Sequence, residues 1–149
     1  MRLLIAEDDL TSRTMLAAIA SKWGYEPIAV ESGETAWKIL QEEYPPLLLL
    51  LDWELPSIDG LELCQRIRQQ DTQDHPYIIL LTSRNETADI VEGLHAGAND
   101  YIAKPFDNAI LHARVEVGRR MLELQAELNK IRENLAYQAN HDALTGLMN

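Results

Sequence analysis

Four short apolar runs in this chain each end in residues able to do chemistry. Residues 3–6 lead into three acids, Glu7-Asp8-Asp9, and residues 47–51 lead into Asp52. Residues 77–81 lead into Thr82-Ser83, and residues 101–103 into Lys104-Pro105. Singly, each group has an ordinary structural use as a helix-capping run, a turn acid, a hydroxyl cap or a surface charge. Together, at the ends of four runs, they point to one site. Two carboxylates about 4 Å apart repel by roughly 4 kcal/mol at an effective dielectric of 20. Gathering Asp8 and Asp52 therefore requires protonation or a cation. Oxygen ligands with room for water suit Mg2+. A carboxylate beside such a cation can attack phosphorus and form an acyl phosphate, while an ammonium and a hydroxyl hold the charge that develops on the phosphoryl oxygens. The chemistry expected is phosphoryl transfer onto Asp52.

The elements that must position these groups follow from hydropathy. With residues 28–30, the apolar runs number five, and stretches of helical length separate them. Continuous rather than alternating apolar residues mark strands buried on both faces, so the pattern predicts an α/β domain with a doubly wound parallel sheet. In such sheets ligands bind beyond the carboxyl ends of the strands, where all four chemical groups fall. Helix starts are expected at Thr11 or Ser12, at Ser32 or Gly33, at Asp59-Gly60, after Asn85 and near Asp107. Pro45-Pro46 stop the second helix, and Gly97 ends the fourth with a left-handed cap.

The fifth helix meets no stop until well past Leu135, about twice the length needed to cover short strands. Val117, Met121, Leu124, Leu128, Ile131 and Leu135 follow the 4-3-4-3-4 spacing of a two-stranded coiled coil. With Met121 at position a, Glu127 falls at g and Arg132 at e, an opposite-charge pair across a parallel homodimer. A single amphipathic helix lying on its own domain is the competing reading, and Gly118 weakens the start of the seam.

Composition limits the partners. The 149 residues suffice for one domain with an appendage, and the 46% hydrophobic and 25% charged fractions are those of a globular chain. A net charge of -11 opposes binding to nucleic acid or to an anionic membrane surface. The single cysteine, Cys64, excludes an intrachain disulfide and reads as a small core residue. The N-terminal apolar run is too short for a signal peptide and residues 47–51 are too few to span a bilayer, so a cytoplasmic location is expected.

Over residues 1–120 the chain resembles the response-regulator receiver domains of two-component signalling. Glu7-Asp8-Asp9 resembles the family's acidic pair after the first strand, and the segment from Leu50 to Pro56 with Asp59-Gly60 resembles its phosphoacceptor loop. Thr82-Ser83 and the segment from Asp100 to Phe106 match its switch hydroxyl and Lys-Pro motif. The resemblance implies a flavodoxin-like sheet of order 2-1-3-4-5 with an extended C-terminal helix. It implies that Glu7, Asp8 and Asp52, with the backbone carbonyl of Glu54, hold Mg2+. By the same likeness, Thr82 and Lys104 grip the phosphoryl oxygens, Tyr101 rotates inward with Thr82, and the Lys104–Pro105 bond is cis. Glu54 and Arg84 occupy positions that influence dephosphorylation. The donor implied is a sensor histidine kinase or phosphotransfer protein.

Residues 121–139 read as a coiled-coil signalling helix continuing the fifth helix, and residues 140–149 as the start of a truncated output domain. Asp142, Leu144, Thr145, Gly146, Leu147 and Asn149 resemble the opening of GGDEF diguanylate cyclase domains. The cyclase's catalytic motif is absent, so these residues form a regulatory phosphoacceptor rather than an enzyme, and the cyclase activity belongs to an inferred parent. His141 reads as a linker residue. It resembles the phosphoacceptor of a kinase dimerisation helix poorly, because Leu144 and Gly146 replace the basic residue and proline of that pattern. Two alternatives compete with the receiver switch: a haloacid-dehalogenase-like Mg-dependent phosphatase, with Glu54 in the place of its second acid, and a degenerate receiver acting only in docking.

Overall fold

A strand needs paired backbone groups on both sides and apolar contact on both faces to sit at the centre of a sheet. The run Leu48-Leu49-Leu50-Leu51 supplies the second requirement, and its residues are all buried. In the computed structural model, which describes residues 1–72 and 74–145 and the last seven of these by backbone alone, this run forms β3 (Leu48–Asp52). The other strands are β1 (Arg2–Ala6), β2 (Glu26–Val30), β4 (Tyr77–Thr82) and β5 (Asp100–Ala103). All neighbours are parallel, in the order β2-β1-β3-β4-β5. The helices are α1 (Leu10–Lys22), α2 (Gly33–Leu40), α3 (Gly60–Gln69), α4 (Thr87–Ala96) and α5 (Asn108–Thr145). The doubly wound fold and its order are as expected.

Alternation along each strand divides the core into two layers. Leu4, Leu49, Leu51, Ile78 and Leu80 pack with Ala36, Leu40, Leu63, Cys64 and Ile67 from α2 and α3. Leu3, Ile5, Leu48, Leu50, Ile79 and Leu81 pack with Leu16 and Ala20 of α1 and with Leu111, Val115 and Leu122 of α5. Cys64 is a fully buried core residue, as expected, and burial pushes its thiol up to about 12. The strand least like its expectation is β2, which extends back to Glu26 and exposes Ala29. It is an edge strand, where Pro27 costs no ladder bond on the open side.

Helix starts follow the side chains that cap them. Asp9, not Thr11 or Ser12, caps α1 by accepting the Ser12 N–H at 2.9 Å. Ser32 and Asp59 cap α2 and α3 as expected, accepting the N–H groups of Thr35 and Glu62. For α4 the cap position is Glu86 rather than Asn85, with no side-chain bond, and Gly97 ends the helix at φ 124°. Lys104–Pro105 is cis.

α5 runs unbroken from Asn108 to Thr145. Gly118, a weak helix former on sequence grounds, has a packing reason: a Cβ there would lie 2.7 Å from the Tyr77 ring and 2.8 Å from Leu48 Cδ1. The helix thus lies directly on β3 and β4. Gly118→Ala is expected to lower stability by up to ~2 kcal/mol, because an overpacking cost of ~1–3 kcal/mol outweighs the ~1 kcal/mol gained in helix propensity. A urea midpoint at or above the parent's would contradict that close approach. The heptad seam faces outward instead. Leu124 and Leu135 are 60% and 62% exposed, against 6% for Leu122. Among the described residues, no helix is long and apolar enough to cross a membrane.

Candidate phosphoacceptor site

Parallel register brings the strand ends level. Ala6 pairs with Leu51, Asp52 with Leu81, and Thr82 with Ala103, so Glu7, Asp52, Thr82 and Lys104 emerge along one edge. The loop after β3 is held down by Gly60, whose N–H donates to the Trp53 carbonyl at 2.9 Å. A Cβ on Gly60 would come within 2.4 Å of the Asp52 carbonyl oxygen, so no other residue fits this turn without moving the phosphoacceptor backbone. The Trp53 N–H in turn donates to the Leu81 carbonyl, continuing the ladder past Asp52.

Lys104 joins the acids. Its Nζ donates to Asp52 Oδ2 at 2.6 Å and to Glu7 Oε1 at 2.9 Å. Asp52 Oδ1 accepts the Glu54 N–H at 3.1 Å. Thr82 is fully buried, and its Oγ1 accepts the Arg84 N–H at 3.0 Å. Glu7, Asp8 and Asp52 each bring a carboxylate oxygen within 4.8 Å of the others, Asp8 from the exposed side. Glu7 Oε2 is buried with no hydrogen-bond partner. An orphaned oxygen in an all-oxygen donor set fits a hard divalent cation such as Mg2+.

The charges are mutually dependent. Burial, and next the hydrogen bond shared with Asp52, push the Glu7 carboxyl up to about 7, with Lys104 opposing. Burial disfavours the Lys104 ammonium, but its bonds to Asp52 and Glu7 outweigh that and raise it above its ordinary value. Glu7 therefore holds its proton more tightly in the folded chain than at its ordinary value of 4.5. Its contribution to stability is complete below about 4.5 and is lost as pH rises through about 7. The metal-free chain is expected to lose a stabilising contribution between about pH 4.5 and about pH 7 that a Glu7→Gln variant does not lose. Urea midpoints of the two chains with equal pH dependence would contradict this.

Two expected site residues stand at the rim. The Glu54 carboxylate turns away from Asp52 and pairs with Arg84 Nε at 2.7 Å, while the Arg84 guanidinium lies 4.7 Å from the Trp53 ring centre. Tyr101 meets Trp53 edge-on at 6.2 Å, and its hydroxyl donates to the Arg84 carbonyl. Tyr101 is thus tied to the β4–α4 loop, with its hydroxyl also in reach of the Thr82 side chain. Sequence reasoning missed Arg13, whose guanidinium donates to the carbonyls of Glu7 at 2.9 Å and Asp8 at 3.2 Å and so fixes the acidic turn. A base one helical turn after an acidic run was the only signal, and it is a common one. The segment with the GGDEF-like motif, including His141, lies outside the residues whose side chains are described.

Comparison with known proteins agrees with this geometry. The profile of the response regulator receiver domain matches residues 3–116. The chain is 42% identical over 124 residues to the transcriptional regulatory protein AfsQ1 of Streptomyces coelicolor, covering 83% of this chain and 53% of that protein. It spans about half the length of such curated relatives. Among solved structures, the receiver domain of the sensor histidine kinase PA1611 of Pseudomonas aeruginosa, with a magnesium ion coordinated in its active site cleft, is 31% identical. That match has a TM-score of 0.68 and covers 78% of this chain and 95% of that one. A "probable two-component system response regulator/GGDEF domain protein" is 26% identical with a TM-score of 0.76, covering 83% of this chain and 50% of that one. Acids, hydroxyl and lysine at one sheet edge, together with these likenesses, establish that the chain belongs to the response regulator receiver domain family.

Proposed function

We propose that this receiver takes a phosphoryl group on Asp52 from a phosphohistidine of a sensor kinase or phosphotransfer protein and relays the change through α5 to a C-terminal output. The observation that carries the reading is the lysine bonded at once to Asp52 and Glu7 beside an unpartnered carboxylate oxygen. Asp52 attacks phosphorus, the P–N bond to the donor imidazole breaks, and the electron pair leaves with the imidazole. Lys104 shifts its donation from the free carboxylate to the phosphoryl oxygens, and the Thr82 hydroxyl accompanies it from the end of β4. Glu7, Asp8 and Asp52, with the Glu54 carbonyl, would hold Mg2+, which when bound offsets the negative charge of carboxylates and phosphate. Arg84 and Tyr101, already joined, move together when Thr82 engages the phosphoryl group.

Two copies associate in parallel through Val117, Met121, Leu124, Leu128, Ile131 and Leu135, with Glu127 opposite the partner's Arg132. We assign residues 121–139 to this linker and residues 140–149 to the start of a diguanylate cyclase output. The exposed seam, the Asp142 to Asn149 pattern and the likeness to a GGDEF-containing regulator support this assignment. A transcriptional output is the second reading, favoured by the likeness to AfsQ1 over the receiver.

Phosphate release after incubation with acetyl phosphate and Mg2+ separates a switch from an enzyme. Stoichiometric uptake followed by slow release is expected. Sustained turnover of simple phosphomonoesters would overturn the reading in favour of a haloacid-dehalogenase-like phosphatase, and no uptake would leave a docking module.

A further inference from the structure

Beside the exposed seam, α5 carries a second stripe with the same 4-3-4-3-4 spacing: Leu111, Val115, Gly118, Leu122, Gln125 and Asn129. From Val117 and Gly118 to Leu128 and Asn129 the two stripes run one residue apart, about 100° round the helix. The second stripe faces the receiver. It is apolar over the sheet and becomes amide-bearing where the sheet ends and the α3–β4 loop begins. There Gln125 makes a two-point bond to one residue: its Oε1 accepts the His75 N–H at 3.1 Å and its Nε2 donates to the His75 carbonyl at 3.2 Å. One turn on, Asn129, only 8% exposed, donates to Asp74 Oδ1 at 3.0 Å.

Rolling α5 by one residue would strand these bonds and leave the buried Asn129 amide without its partner. Apolar packing alone tolerates such a roll far better, because it is non-directional. Next to the clamp, a groove of about 710 Å³ opens between α5 and the receiver, lined by Met121, Leu124 and Leu128 together with Arg68, His75 and Arg132. The first three belong to the exposed seam, so the groove and the seam are continuous. In a parallel dimer Glu127 of a second copy comes opposite Arg132, which supplies an acid to a groove lined with cations.

We propose that Asp74 and His75 lock the rotational phase of α5, turning Met121, Leu124 and Leu128 toward a second copy and making the receiver edge at Arg68 and His75 a wall of that interface. This rests on the dimer reading above. It adds that the receiver sets which face of the signalling helix the partner meets.

Single cysteines at Met121, Leu122, Leu124, Ala126 and Leu128, introduced into the full chain with its buried Cys64 retained, test the lock under mild oxidation. In the parent background, crosslinks are expected at 121, 124 and 128 and not at 122 or 126. In a Gln125→Ala/Asn129→Ala background that contrast is expected to fall severalfold. The same pattern in both backgrounds would overturn the lock and leave the dimer standing. Crosslinks at no position would overturn the dimer reading, and the inference with it. Amide exchange at His75 reads the clamp without the dimer. It is expected to be slow in the parent and fast in the double variant, and fast exchange in the parent would also overturn the lock.

Discussion

Lys104→Ala should cut the rate of phosphoryl uptake from acetyl phosphate by ~10²–10³, the cost of removing a preorganised group aimed at developing phosphoryl charge. The same change should leave Mg2+ affinity equal or tighter. Lys104 occupies Asp52 Oδ2 and Glu7 Oε1, and removing it frees both oxygens for a cation. Without metal, the variant should be less stable than the parent, since two largely buried carboxylates lose the counter-charge they share. Lys104 is itself 29% exposed, so water softens that loss. Phosphoryl uptake and Mg2+ titration on one sample check the prediction together. Uptake and metal binding falling in parallel would mean that Lys104 only maintains the shape of the site.

Leu124→Asp/Leu128→Asp should turn the dimer into a monomer. Each leucine buried in a seam contributes ~1.5–3 kcal/mol. Losing four per dimer weakens association by at least ~6 kcal/mol, or about ten-thousandfold. Both side chains are more than half exposed in the single chain, at 60% and 52%, so the receiver should fold and accept phosphoryl as before. Sedimentation across a concentration series, with phosphoryl uptake on the same protein, measures both halves. An unchanged dimer would place the interface elsewhere.

These two variants mark what the sequence made legible. Asp52, Glu7, Thr82 and Lys104 could be read because a parallel sheet delivers the ends of its strands to one edge, and hydropathy alone locates strand ends. The outward stripe of α5 could be read because heptad spacing survives in one dimension. Less legible were contacts between elements distant in sequence that leave no period. Gly118 weighed against the helix until the Tyr77 ring and Leu48 filled the space of its missing side chain. Glu54, expected near the metal through its carbonyl, proves to spend its carboxylate on Arg84, thirty residues away. Gln125 and Asn129 drew no expectation from the sequence, although they reach back some fifty residues to His75 and Asp74. At helix starts the error was local. Ser12 supplies an N–H to the cap, and Asp9 supplies the carboxylate.

Asp52, among the acids gathered at this edge, is the one expected to become phosphorylated. Intact mass after incubation with Mg2+ and acetyl phosphate, followed by borohydride reduction of the acyl phosphate and peptide mapping, tests it directly. One phosphoryl group per chain is expected, with the reduced residue at position 52 and no adduct in Asp52→Asn. An adduct that maps to Glu7, Asp8 or Asp9, or that persists in Asp52→Asn, would place the phosphoacceptor on another acid of this edge.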